Sequence, residues 1–396
     1  MLFCRSRVDL ISKMLVVVTA FVLPLSVFLT NVFFILVPIL SLVSGGVREK
    51  LNVIFRNPVA IAMLAFFSLF IIGLSYTIAP INDALKMLVH YDKIFFAALL
   101  FPLFTEDKWR KYSINAFIIG SIVLLILSYL KYFGLSIGPH DESLKGHINF
   151  GFIMALLSYF LMLKIFAAKD IRYKIALTLI LLLVVFNSLF LSIGRAGYFV
   201  FIGLFCLLLF QVFRWRGLLV AVIASILLFS CAYSFSGVFK QRIHDVANDI
   251  KVYNLNKNED TSIGDRINFV RNSLKLIKER PIFGYGTGGY RFAYANIKPT
   301  PAVSSHNSHD EYLHIGVQFG SVGILMLLML FFTQLWQSKN LPKDYCYIAQ
   351  AIVVSIMIGS LANSWLLDSA EGHVYAYFIA LAFAARYSGK LHGSSS

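Results

Sequence analysis

The densest run of reactive side chains in the sequence is Ser304-Ser305-His306-Asn307-Ser308-His309-Asp310-Glu311-Tyr312-Leu313-His314. Histidine is the natural general base near neutral pH, and a neighbouring carboxylate can orient it. Two other readings compete: a loop that is simply polar, and a metal site built from His306, His309, Asp310 and Glu311. The spacing matches no standard zinc pattern, so no metal is expected. Arg195, in Ser192-Ile193-Gly194-Arg195-Ala196-Gly197, is flanked by small residues that let backbones approach. An arginine close to lipid is costly and usually faces a cavity with a partner, which makes it a candidate anion site; a snorkelling interfacial arginine is the plainer alternative. Arg266 is either part of a solvated helix face or a second guanidinium able to grip a phosphate bidentately.

Gly284-Tyr285-Gly286-Thr287-Gly288-Gly289-Tyr290 has the look of a phosphate cradle. It lacks the Gly-Lys-Ser/Thr ending and the preceding apolar strand of a nucleotide loop, and reads instead as a glycine-rich turn beneath a binding site. His140-Asp141-Glu142 and the set Asp368, Glu371 and His373 can line a cavity or stand as ordinary interfacial polar residues.

The elements that must position these groups are membrane helices. The chain has 396 residues, 58% hydrophobic and only 14% charged, with 37 Phe, and a mean hydropathy of +0.75. Soluble domains carry roughly 25% charged residues, so water-soluble fold classes drop out. Apolar runs reach the roughly 20 residues that cross a hydrocarbon core. Spans are expected near 14–30, 32–44, 58–78, 93–104, 113–131, 148–168, 174–192, 197–213, 217–236, 314–335, 345–366 and 372–387, about twelve in all, the second and fourth being short. Arg5, Arg7 and Lys13 precede the first run, but no small-residue cleavage site follows, so it is read as an uncleaved span. The four cysteines show no extracellular pairing pattern, and no structural disulfide is expected.

The net charge of +15 would suggest nucleic acid in a soluble chain; here its distribution sets topology. With the N-terminus inside, alternate loops collect Arg48, Lys50 and Arg56; Lys108, Arg110 and Lys111; Lys169, Arg172 and Lys174; Arg214 and Arg216; Lys339 and Lys343. The opposite short loops hold only Lys86, Lys93, Lys131, Lys145 and Arg195. Both termini are therefore expected in the cytoplasm. The chain divides into residues 1–236 with nine spans, a polar loop over 237–313 on the outer side, and residues 314–396 with three spans and a tail. Within the loop, Ile267, Val270, Leu274 and Ile277 recur at helical spacing against Arg266, Arg271, Lys275 and Lys278. Ser262 and Asp265 have capping-box spacing, and Pro281 ends the helix.

This pattern resembles the O-antigen ligase and O-antigen polymerase superfamily. The resemblance rests on the twelve spans with a large outer loop before the tenth and on Ser192-x-x-Arg195. Arg266 opens a helix that ends in Arg280-Pro281-Ile282-Phe283-Gly284-Tyr285-Gly286, and His309 precedes Glu311-Tyr312-Leu313. The ligase motif is His, then Asn, Ser or Gln, nine residues, and Gly-x-x-Gly. Counting from His309 reaches Gly320-Ser321-Val322-Gly323, whereas counting from His306 puts Val317 in the glycine's place. Asp310 departs from the usual residue beside the histidine.

The resemblance implies an all-α polytopic, GT-C-like glycosyltransferase of a Gram-negative inner membrane, with its site facing the periplasm and no metal, nucleotide or other cofactor. The implied donor is a polysaccharide on undecaprenyl pyrophosphate, and the acceptor is a sugar hydroxyl of lipid A core in lipopolysaccharide assembly. His309 would be the general base, and Arg195 and Arg266 would hold the donor pyrophosphate. Arg291, Tyr312, His306 and Asn307 are further candidates for holding substrate. The elementary chemistry agrees: expelling a lipid pyrophosphate needs positive charge aimed at the leaving group. The nearest alternative is a polymerase joining lipid-linked repeat units; further alternatives are a protein O-oligosaccharyltransferase and a transporter. Lys275, Lys278 and Arg280 are candidates for docking anionic head groups.

Overall fold

The structure, a computed structural model, describes residues 2–135, 147–191, 195–256, 262–297 and 307–387. His306 and the His140-Asp141-Glu142 group lie outside those residues, and Arg195 is described at the backbone only. Among the described residues the protein is all-helical. In chain order the helices are α1 (Leu2–Val22), α2 (Val27–Val43), α3 (Val47–Phe55), α4 (Pro58–Gly73), α5 (Ile81–His90), α6 (Asp92–Leu100), α7 (Asp107–Tyr132) and α8 (His147–Ala167). They continue with α9 (Ile171–Phe186), α10 (Arg195–Phe235), α11 (Gly237–Asn256), α12 (Ser262–Glu279), α13 (Gly289–Ile297), α14 (Glu311–Ser338), α15 (Lys343–Gly359) and α16 (Ser369–Ala384).

Among the described residues six stretches are long and apolar enough to cross a bilayer: Ile81–Phe104, Asp107–Tyr132, Ile148–Ala167, Ile171–Leu191, Gly197–Phe235 and Glu311–Ser338. The pair α3 and α4, bent by 87°, makes a seventh if it is counted as one span. The expected twelve are not reached on this measure, chiefly because α2, α15 and α16 stop at 17, 17 and 16 residues. The first expected boundary also moves. The chain breaks between Val22 and Val27, around Pro24, and Asn31 lies inside α2; proline cannot donate to the helix ladder. The short span expected at 93–104 begins earlier, at Ile81.

The break expected at 214–216 is present inside α10, where Arg214 has φ 55 and ψ −140. A Cβ on Gly217 would collide with the carbonyl of Leu209, eight residues earlier. A straight helix would separate those residues by about 12 Å, so the chain folds back there. The bend before α4 has its own local cause: Pro58 occupies the first helical turn, where a missing N–H costs nothing, and the Asn57 side chain accepts from Val59 N at 3.0 Å.

The chain forms two compact units, one of residues 1–16, 31–110 and 249–396, the other of residues 17–30 and 111–248. In the second, α8 packs on α9 and α10, with Gly197 set directly against the Gly151 backbone. Small residues at such a crossing let helices approach where lipid supplies no hydrophobic drive. In the first unit, α16 is buried from Ala370 to Ala384 and packs on α6 and α15, while α14 packs on α4, α12 and α15. A helix apolar all round, as α16 is, belongs in the middle of a bundle.

Candidate functional site

The site is built where α14 begins and where it breaks. Asp310 caps α14, its carboxylate accepting from Leu313 N at 2.9 Å, and burial raises this carboxyl above its ordinary range. Glu311 is fully buried. Its Oε1 accepts from the Tyr91 hydroxyl at 2.6 Å, and its Oε2 accepts from Leu366 N and Leu367 N at 3.0 and 3.3 Å. The buried Lys93 ammonium donates to the carbonyls of Leu367 and Asp368, both at 3.0 Å. These bonds tie α6, the start of α14 and the turn before α16 into one polar knot. Both carboxylates weighed for a metal site are therefore spent on the fold, and no cluster of three metal-binding side chains occurs among the described residues.

His309 stands just before this knot with φ 53, a conformation uncommon outside glycine. The Asn307 side chain holds it there, its Oδ1 accepting from His309 N at 2.9 Å and from the Ser364 hydroxyl. The ring is fixed separately. Its Nδ1 lies 3.0 Å from Asn363 Oδ1, and its ring centre lies 5.5 Å from that of Phe269 of α12, the two rings tilted at 42°. Asn363 Nδ2 in turn donates to Asp368 Oδ2 at 2.8 Å. Burial pushes the Asp368 carboxyl up to about 6, against an opposing pull from Lys93.

Asn307 and Asp368 also line a cavity of about 630 Å³, together with Asp83, Lys86, His90 and Arg291. That volume lies within the range of ligand sites. The expected substrate residues Asn307 and Arg291 thus share one cavity next to His309. Tyr312 is turned to the fold, its hydroxyl donating to the Met357 carbonyl at 3.1 Å. Arg266 is half-buried on α12, one turn before Phe269. Arg195 opens α10 in the other unit. Of the last polar group, Asp368 lines the cavity, whereas Glu371 and His373 are buried, the latter edge-on to Phe34 at 4.5 Å.

The glycine-rich turn is the floor under this arrangement. At Gly320 the helical path of α14 is interrupted, with φ 61 and ψ −151, and the freed backbone groups are taken up by residues 281–288. Tyr285 N donates to Val317 O (3.0 Å), Gly286 N to Gln318 O (2.8 Å), and Ser321 N to Pro281 O (2.7 Å). Gly288 N donates to Gln318 Oε1 at 2.7 Å. Thr287 fixes the other side, its hydroxyl donating to Phe70 O of α4 at 2.6 Å. Irregular backbone at membrane depth is tolerated only when its polar groups are satisfied in this way. The first glycine of Gly320-Ser321-Val322-Gly323 is thereby explained. A Cβ there would meet the carbonyl groups of Pro281 and Ile282 at 2.5 to 2.7 Å, on a backbone that L side chains rarely adopt.

Residues 178–328 match the O-antigen ligase family. The matched segment, less than half of the chain, contains Arg195, Arg266, His309, Gly320 and Gly323. An uncharacterised protein of Haemophilus influenzae is 28% identical over 308 residues, covering 72% of this chain and 74% of the relative. The sequence reading did not single out Asn363, Phe269 or Lys93. Asn363, a polar amide at the end of the apolar run expected at 345–366, was the signal available.

Proposed function

We propose that the protein is an O-antigen ligase, transferring a polysaccharide from undecaprenyl pyrophosphate to a sugar hydroxyl of lipid A core. The observation that carries this reading is His309, held at its backbone by Asn307 of a polar cavity's wall and at its ring by Asn363, inside the segment that matches the family. In the proposed reaction His309 takes the proton of the acceptor hydroxyl as that oxygen bonds to the anomeric carbon of the donor. The bond from that carbon to the pyrophosphate breaks, and the lipid pyrophosphate leaves with the electron pair. General-base help of this kind is worth about 10² to 10⁴ in rate. Arg195 and Arg266 are the guanidiniums assigned to the leaving pyrophosphate, a role suited to their bidentate geometry. The donor is already activated, so the reading calls for neither nucleotide nor metal. Arg291 and Asn307, in the cavity wall, are assigned to substrate. The basic residues counted along the chain support a site facing the periplasm, with both termini in the cytoplasm.

The test is the lipopolysaccharide profile of a deletion strain, run beside the glycan left on the lipid carrier. Long polymer stranded on the carrier, with bare lipid A core, is the expected result. Single repeat units on the carrier or capping the core would replace this reading with the polymerase, and an unchanged profile would overturn both.

A further inference from the structure

We propose that Asn363 and Asp368 are positioning residues that dictate which nitrogen of His309 is left bare to accept a proton. The inference rests on the general-base reading of His309 for its role in turnover, but its geometry stands apart from the identity of the substrate.

The argument is one of donors and acceptors. An ionised carboxylate only accepts hydrogen bonds, so the amide edge 2.8 Å from Asp368 Oδ2 is the NH₂ group. The other edge, 3.0 Å from His309 Nδ1, is then the carbonyl oxygen. A carbonyl oxygen also only accepts, so Nδ1 carries the hydrogen. Neutral imidazole has one ring hydrogen, so Nε2 keeps its lone pair. The chain from Nδ1–H to Oδ1, and from Nδ2–H to Oδ2, therefore runs one way, and Asp368 sets its direction from two bonds away. Asp368 is itself anchored, since Lys93 holds its backbone carbonyl and that of Leu367. The neighbouring N–H groups of Leu366 and Leu367 are taken by Glu311, two residues beyond His309. Asn363 is only 6% exposed, so water competes poorly for its amide. A carboxylate in direct contact would fix the same tautomer; an interposed amide fixes it without placing full charge against the ring.

The experiment uses the full-length protein in lipid nanodiscs. Nitrogen NMR of ¹⁵N-histidine-labelled protein, with His309→Gln to identify the signal, should show His309 protonated at Nδ1 at neutral pH. In Asn363→Ala the signal should move toward a mixture of the two tautomers. In a transfer assay the same variant should lose roughly 10- to 100-fold in kcat, less than the full worth of general-base help because the base itself remains, with little change in acceptor KM. Asn363→Asp alone should fall similarly, because it sets two carboxylates against each other. Asn363→Asp combined with Asp368→Asn restores the order of donors and acceptors and should recover most of the rate.

A His309 protonated at Nε2 in the native protein would overturn the proposal without recourse to any variant. So would a tautomer unmoved by Asn363→Ala, or an exchange variant no better than Asn363→Asp. A tautomer that shifts as expected while transfer stays at the native rate would uphold the positioning role and sink His309 as the base.

Discussion

Two helices of this protein are interrupted in nearly the same backbone conformation, and the interruptions do different things. Arg214 in α10 has φ 55 and ψ −140, and Gly320 in α14 has φ 61 and ψ −151. At Arg214 the chain doubles back, and Gly217 closes against Leu209. At Gly320 another stretch of chain enters the break and bonds its backbone from both sides. Similar dihedral angles therefore say little about purpose. What separates a turn from a scaffold is whether another segment uses the exposed groups.

Substitution at the two sites should separate them most sharply. Gly320→Ala forces a side chain into the Pro281 and Ile282 carbonyls and strains the backbone, a combination expected to cost several kcal/mol. Loss of the monodisperse peak in size-exclusion chromatography is the expected result, and a native-like melting temperature would dissolve the distinction. Gln318→Ala leaves the α14 backbone intact but strips the acceptor from buried Gly288 N, at a cost of about 1 to 3 kcal/mol, readable in thermal unfolding.

A smaller, pH-dependent effect is expected at Asp368. Its carboxyl is held at about 6, above the ordinary 3.8, so the folded state binds this proton more tightly than the unfolded one. The associated stability is full below about 3.8 and disappears as pH rises through about 6. Asp368→Asn should therefore melt closest to the native protein in acid and gain on it as pH rises from about 3.8 to about 6; a constant offset would contradict the assignment. Smallest is Arg214→Gly, which relieves a conformation costly for a side chain and should raise stability by about 1 kcal/mol without touching transfer. Destabilisation there would mean that the two interruptions are more alike than described.

Part of this was legible in the sequence. The ends of α12 were marked by Ser262 and Pro281, and the glycine-rich run was readable as a turn because it lacked the residues of a nucleotide loop. The buried face of α12 was not. Ile267, Val270, Leu274 and Ile277 were the expected face, yet Val270 and Leu274 are exposed, and Phe269, Ser273 and Leu276 are buried. Apolar residues lie around much of that helix, so its neighbours choose among them. Ile277 packs toward Gly316 of α14, while Phe269 turns to His309. The expected twelve spans exceed the six or seven helices that are long and apolar enough among the described residues, since hydropathy follows composition and is blind to where a helix stops. Asn363 and Asp368 escaped as partners of His309 because a contact across 54 residues leaves no local mark.

The docking of residues 281–288 into α14 also fixes where this protein can be cut and rejoined. Swapping polar loops between two such proteins invites junctions at residue 237 and residue 313, where hydropathy changes. A junction at 313 would part the incoming glycine turn from the Val317, Gln318, Ser321 and Val322 backbone that receives it. The exchangeable cassette therefore ends inside the membrane helix, beyond Gly323.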